Sequence, residues 1–138
     1  MKRASEVLIL IGTILSFITC GIMAIVGIVC LIVSSDAVKE ALIEGIENGS
    51  ITTTISGNAE TAAAILQITF RTLGIVYIVW AVLLLTNGIV ASNTRRNPSK
   101  NGYILNIVFG FLSCLSVNAV GGIFGVIAEN RKENTVIE

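Results

Sequence analysis

Three asparagines, Asn87, Asn106 and Asn118, and one arginine, Arg71, stand in or beside long apolar runs of this chain. A carboxamide carries two donors and one acceptor oxygen, so asparagines at membrane depth can serve in two ways. They can tie helices together, at about 0.6 kcal/mol per bond in lipid. In an assembly of several copies they can also line a polar path for an ion or solute.

Bond-breaking chemistry has much less to work with. The chain has no histidine, which removes a Ser–His pair and an HExxH zinc site. Asp36 is its only aspartate, so an aspartyl dyad cannot form. Gly121, Gly122 and Gly125 belong to an apolar helix and follow no strand, so they read as packing glycines and make no phosphate loop. Proton-driven carriers place a carboxylate in mid-span, whereas Glu6 and Glu129 sit at the ends of apolar runs. The pattern points to a non-enzymatic protein without cofactor or metal.

The elements that hold these residues follow from composition. The chain is 54% hydrophobic and 13% charged, with a mean hydropathy of +0.87; soluble domains carry about 25% charged residues. Its charges cluster, leaving runs that reach the roughly 20 residues a helix needs to cross a bilayer. No alternating pattern offers a barrel. The expected fold is all-α: an integral membrane four-helix bundle of two long spans and a short C-terminal hairpin, with a small extracellular amphipathic helix. Net charge is zero, so no basic field draws nucleic acid. The expected partners are the lipid bilayer and another membrane protein or a second copy.

Span one is expected over 7–33. Its start, MKR before VLILIGTILSFITC, has the form of a signal peptide. Phe17-Ile18-Thr19 lacks the small residues of a cleavage site, and the apolar run continues to Val33, so it reads as an uncleaved anchor. Gly12, Ser16, Cys20 and Ala24 recur every four residues, a ridge of small side chains suited to a close helix neighbour. Cys20, Cys30 and Cys114 all lie in apolar runs and read as buried thiols acting as small hydrophobes.

Residues 34–60 form the polar loop. A short helix over 36–48 is expected, capped by Asp36 or Ser35, with Val38, Leu42 and Ile46 on one face and Gly49 as its stop. Its other face is acidic, and the natural reading is a solvated helix on the membrane surface. Asn48-Gly49-Ser50 matches a glycosylation acceptor, a trivial match outside a eukaryotic lumen.

Span two, with an outer extension, is expected over 61–92. Counting back about 20 residues from Ala91 puts Arg71 at the outer interface, where its side chain can snorkel. Gly74, Ala81 and Gly88 repeat every seven residues as a second small stripe. The 93–100 loop carries Arg95, Arg96 and Lys100 without an acid, while loop 34–60 holds one lysine against five acids. The positive-inside rule then puts the N-terminus and the 93–100 loop in the cytoplasm and the acidic loop outside.

The last apolar run, Tyr103 to Ala128, can be one tilted span of about 39 Å or a hairpin. A hairpin has arms at 101–116 and 118–132, each about 20–25 Å long. It takes Ser116 and Asn118 out of mid-membrane, uses Asn118 as an N-cap, and returns Arg131 and Lys132 to the cytoplasm.

MKRASEVLILIGTILS, SSDAVKEALIEGIENG and NGYILNIVFGFLSCLSVNAVGGIFGVIAENRK together resemble a family of small Gram-positive bacterial membrane proteins of unknown function. That resemblance is one of layout over nearly the whole chain. It implies four spans, an outer loop after the first, and a glycine-rich terminal hairpin closing on an Arg/Lys pair. Ser5-Glu6 stands where the family tends to have Thr-Ala-Glu-like residues, and GVIAENRKEN is more acidic than usual. The family supplies no catalytic motif.

Overall fold

A computed structural model describes residues 2–55 and 57–136, with side chains described over 3–55 and 57–131. Lys132, used above for orientation, therefore lies outside the described side chains. Among the described residues the chain is all-helical: α1 Lys2–Val33, α2 Asp36–Glu47, α3 Ala59–Arg96, α4 Lys100–Leu112 and α5 Ser116–Val136. Two helices, Arg3–Val33 and Ala59–Arg96, are long and apolar enough to cross a membrane.

Each helix boundary has a local cause. The backbone leaves α1 at Ser34, whose hydroxyl donates to the Leu31 carbonyl. Ser35 precedes α2 in extended conformation but makes no side-chain cap bond. Asp36 does not cap either; its carboxylate accepts a bond from Gln67 Nε2 at 2.9 Å. The end of α2 is fixed by Gly49 at φ +74°, a conformation that suits glycine because it has no Cβ. Ile51 then folds back, donating its N–H to the Gly45 carbonyl at 2.8 Å and covering buried Gly45 with its side chain.

Asn58 caps α3: its Oδ1 accepts from the Thr61 N–H at 2.9 Å and from the Thr61 hydroxyl at 2.6 Å. The helix then runs 38 residues, about 57 Å, well beyond a hydrocarbon core of about 30 Å. It ends two residues before Pro98. Ser99 caps α4 by accepting from the Gly102 N–H at 3.1 Å.

The break in the last apolar run falls at 113–115. Ser113 closes α4, Cys114 takes φ +57°, and α5 starts at Ser116. This corrects the reading of Asn118 as an N-cap. Asn118 lies inside the first turn of α5, and its N–H donates to the Leu115 carbonyl at 3.1 Å. It also corrects the cysteines: Cys114 is exposed, and Cys20 and Cys30 are half-buried.

The contact pattern divides the chain into two compact units, 1–21 with 80–138 and 22–79. In the first, α4 and α5 form an antiparallel hairpin of very close approach. A Cβ at Gly110 would sit 2.6 Å from the Ala119 nitrogen, and one at Gly122 would sit 2.7 Å from the Tyr103 carbonyl oxygen. Ile9, Ala91 and Tyr103 form its apolar core, with Val126 against them. In the second unit, Gly27 of α1 and Gly74 of α3 face each other, so that a Cβ on either would come within 3.1 Å of the other's carbonyl oxygen. Gln67 Nε2 closes the same unit by donating to the Ser34 carbonyl at 3.1 Å as well as to Asp36.

Candidate functional site: a buried asparagine and serine network

The first unit buries polar side chains along the inner faces of four helices. Ser5, Ile9, Gly12 and Ser16 are the buried positions of this part of α1, at helical steps of four, three and four. α3 contributes Asn87, α4 contributes Asn106 and Ser113, and α5 contributes Asn118; all three asparagines are 0% exposed.

Asn87 is the hub. Its Nδ2 donates to Ser16 Oγ at 3.1 Å and to Ser113 Oγ at 3.0 Å, which joins α3 to both α1 and α4. Asn118 Nδ2 makes a longer bond to the same Ser16 oxygen at 3.4 Å, bringing in α5. Each serine hydroxyl spends its own hydrogen on the backbone one turn earlier: Ser16 on Gly12 at 2.8 Å, Ser113 on Phe109 at 2.6 Å. Both serine oxygens are therefore left as pure acceptors, which the two carboxamides need. A second link joins α1 to α5, from Ser5 Oγ to the Gly121 carbonyl at 2.8 Å.

The acceptor side is not balanced. Asn87 Oδ1, Asn118 Oδ1 and both polar atoms of Asn106 are buried and have no partner among the described residues. A buried unsatisfied group costs about 1–3 kcal/mol, as much as or more than a typical bond returns. Three acceptor oxygens and one donor nitrogen are thus left over among the described residues.

Its chemistry is narrow. Carboxamides and serine hydroxyls hold no proton that titrates near neutrality, and both serine hydrogens are committed to carbonyls, so no activated nucleophile arises here. Among the described residues no group of three His, Cys, Asp or Glu could hold a metal ion. What the arrangement can do is bind helices to one another and accept hydrogen bonds from an uncharged polar group.

Most of the small residues singled out in the sequence serve this packing. Gly12 is seated under Asn118, Gly88 under the Phe17 ring, Gly121 against Ile9, Gly122 against Tyr103 and Ile107, and Gly125 against the Tyr103 ring. Ala81 is buried and its carbonyl accepts from Cys20 Sγ at 3.2 Å. Ala24 is only half-buried. A step of four residues gains about 40° on a helix of 3.6 residues per turn, so the ridge begun at Gly12 rotates away. In the second unit the tight position on α1 is Gly27. Arg71 is exposed on α3 in that unit, apart from the network.

Ser113 and Gly110 were not singled out from the sequence, and Ser5 only as a departure from the family's start. Tyr103, Asn106, Gly110 and Ser113 are buried at steps of three, four and three, an inward seam that this spacing could have revealed. Comparison with protein-family models, curated proteins and solved structures finds no match.

Proposed function

We propose that this chain is a small, non-enzymatic integral membrane protein of four spans that acts by associating with other membrane proteins or with itself. It belongs, on this reading, with the small Gram-positive membrane proteins its layout resembles, and resides in the cell membrane with both termini in the cytoplasm and loop 34–60 outside. The observation that carries the proposal is the inward turning of the polar groups. Asn87, Asn118, Ser16 and Ser113 tie α1, α3, α4 and α5 together. Large apolar side chains such as Ile18, Ile25, Ile32, Ile68 and Phe111 face outward and are more than half exposed. That inversion suits a lipid solvent. Because the small-residue ridge of the first unit is occupied internally, a partner would meet these outer apolar faces.

α4 has 13 residues, about 20 Å, which is short for a span, and the α4–α5 hairpin needs a locally thinned bilayer. A reporter fused after Glu138 tests the layout: cytoplasmic signal is expected, and an external C-terminus overturns the four-span reading.

One observation favours a second reading, a transporter or pore component. The unpartnered oxygens of Asn87, Asn106 and Asn118 are the acceptors a polar path would use. Reconstitution in liposomes separates the readings. Solute or ion flux that disappears on replacing Asn87 or Asn106 would favour the path.

A further inference from the structure

The last two turns of α3 carry half-buried Ser92 and exposed Asn93, Arg95 and Arg96, next to the apolar part of the helix. Ser92, Asn93 and Arg96, with Ile89 one turn earlier on α3 and Phe17 of α1, line an open cleft of about 270 Å³. A second cleft of about 370 Å³ shares Ser92 and Arg96 and adds Arg95. Among the described residues no acidic side chain lines either one. Ser92 and Arg96 line both clefts, so guanidinium, hydroxyl, carboxamide, aliphatic and aromatic groups adjoin along this stretch. Chemically this is a gradient from anion binding to apolar contact within about two helical turns.

We propose that this groove binds an anionic phospholipid of the cytoplasmic leaflet, with the headgroup phosphate on Arg95 and Arg96 and an acyl chain along Ile89 and Phe17. The proposal rests on the membrane reading given above. Its charge complementarity is specific: guanidinium forks match phosphate oxygens in bidentate geometry, and Ser92 and Asn93 supply further donors for phosphate or glycerol oxygens. A structural alternative explains the arginines alone, since cations near a helix C-terminus interact favourably with its dipole. That alternative predicts no lipid selectivity and gives no role to Ile89 and Phe17.

The test is lipid selectivity of the purified full chain in nanodiscs and by native mass spectrometry. Phosphatidylglycerol should be retained in preference to phosphatidylcholine, and the preference should fall roughly fivefold for each arginine replaced in R95Q and R96Q. Ile89→Trp, which fills the cleft without altering charge, should weaken retention too, while Lys100→Gln, outside both clefts, should not. Inorganic phosphate alone should not displace the lipid. Equal retention of the two lipids, an undiminished preference in R95Q/R96Q, or displacement by free phosphate overturns the inference while leaving the membrane reading intact. Recovery of the chain in the soluble fraction overturns both.

Discussion

The carboxamide of Asn118 rests on the bare Cα of Gly12, so closely that a Cβ built at Gly12 would overlap its oxygen and carbon. This contact places Asn118 Nδ2 within reach of Ser16, one turn along α1. Gly12→Ala should therefore destabilise by about 1–3 kcal/mol through overpacking, measured as thermal unfolding in detergent. Asn118→Ala removes the obstructing group, so in the G12A/N118A double variant the alanine at 12 should cost much less than it does alone. Strictly additive effects would show that the two residues do not compete for the same space.

Asn87 holds three helices through one nitrogen, and its coupling to each serine can be measured separately. In double-mutant cycles, Asn87→Ala with Ser16→Ala and Asn87→Ala with Ser113→Ala should each give a coupling of about 0.6 kcal/mol, up to about 1.7. The Ser16 cycle also removes the partner of Asn118, so Asn118→Ala should be nearly neutral once Ser16 is gone. A zero coupling in both cycles would contradict the geometry of the hub.

Asn106 presents the opposite case. The described residues give its side chain neither a donor nor an acceptor, and it lies wholly buried in a unit whose core is Ile9, Ala91 and Tyr103. Asn106→Leu keeps the volume close and deletes two buried polar atoms, so it should raise stability by roughly 1–3 kcal/mol. A buried polar side chain that costs stability in this way is a candidate for a working role. The stabilised variant should accordingly be the one assayed in liposomes or for partner binding. Destabilisation on the same substitution would show that Asn106 is satisfied in the working protein.

These contrasts mark where sequence reasoning succeeds and where it stops. The long apolar helices are written in composition, and the end of α2 is written in Gly49, because both depend on local chemistry. The break before α5 was also foreseeable from Ser116 and Asn118, but its mechanism was not. Asn118 is a good N-cap by type, yet Ser16, 102 positions earlier, claims its side chain, and the helix begins two residues sooner. The four-residue ridge on α1 illustrates the same limit. Spacing identified Gly12 and Ser16, but the drift of a 3.6-residue helix moved the tight position in the second unit from Ala24 to Gly27. Ser113 went unnoticed because a serine in an apolar run is unremarkable until Asn87 is seen to point at it.

Gln67 offers a test confined to the second unit. Its Nε2 donates to the Ser34 carbonyl and to the Asp36 carboxylate, so one side chain on α3 pins the corner where α1 gives way to α2. Bonds to a charged acceptor are worth about 1.5–3 kcal/mol when well made, although exposure to water reduces this one. Gln67→Leu keeps the aliphatic stem and removes both bonds. Amide hydrogen exchange across residues 36–47 should then quicken several-fold, as α2 loses its anchor, while exchange in α4 and α5 stays unchanged. Gln67→Glu is the sharper variant, because it places a second carboxylate beside Asp36 and replaces a donor with an acceptor. It should loosen α2 at least as much as Gln67→Leu. Equal exchange in wild type and both variants would show that α2 is held by its half-buried Val38, Leu42 and Ile46 face alone.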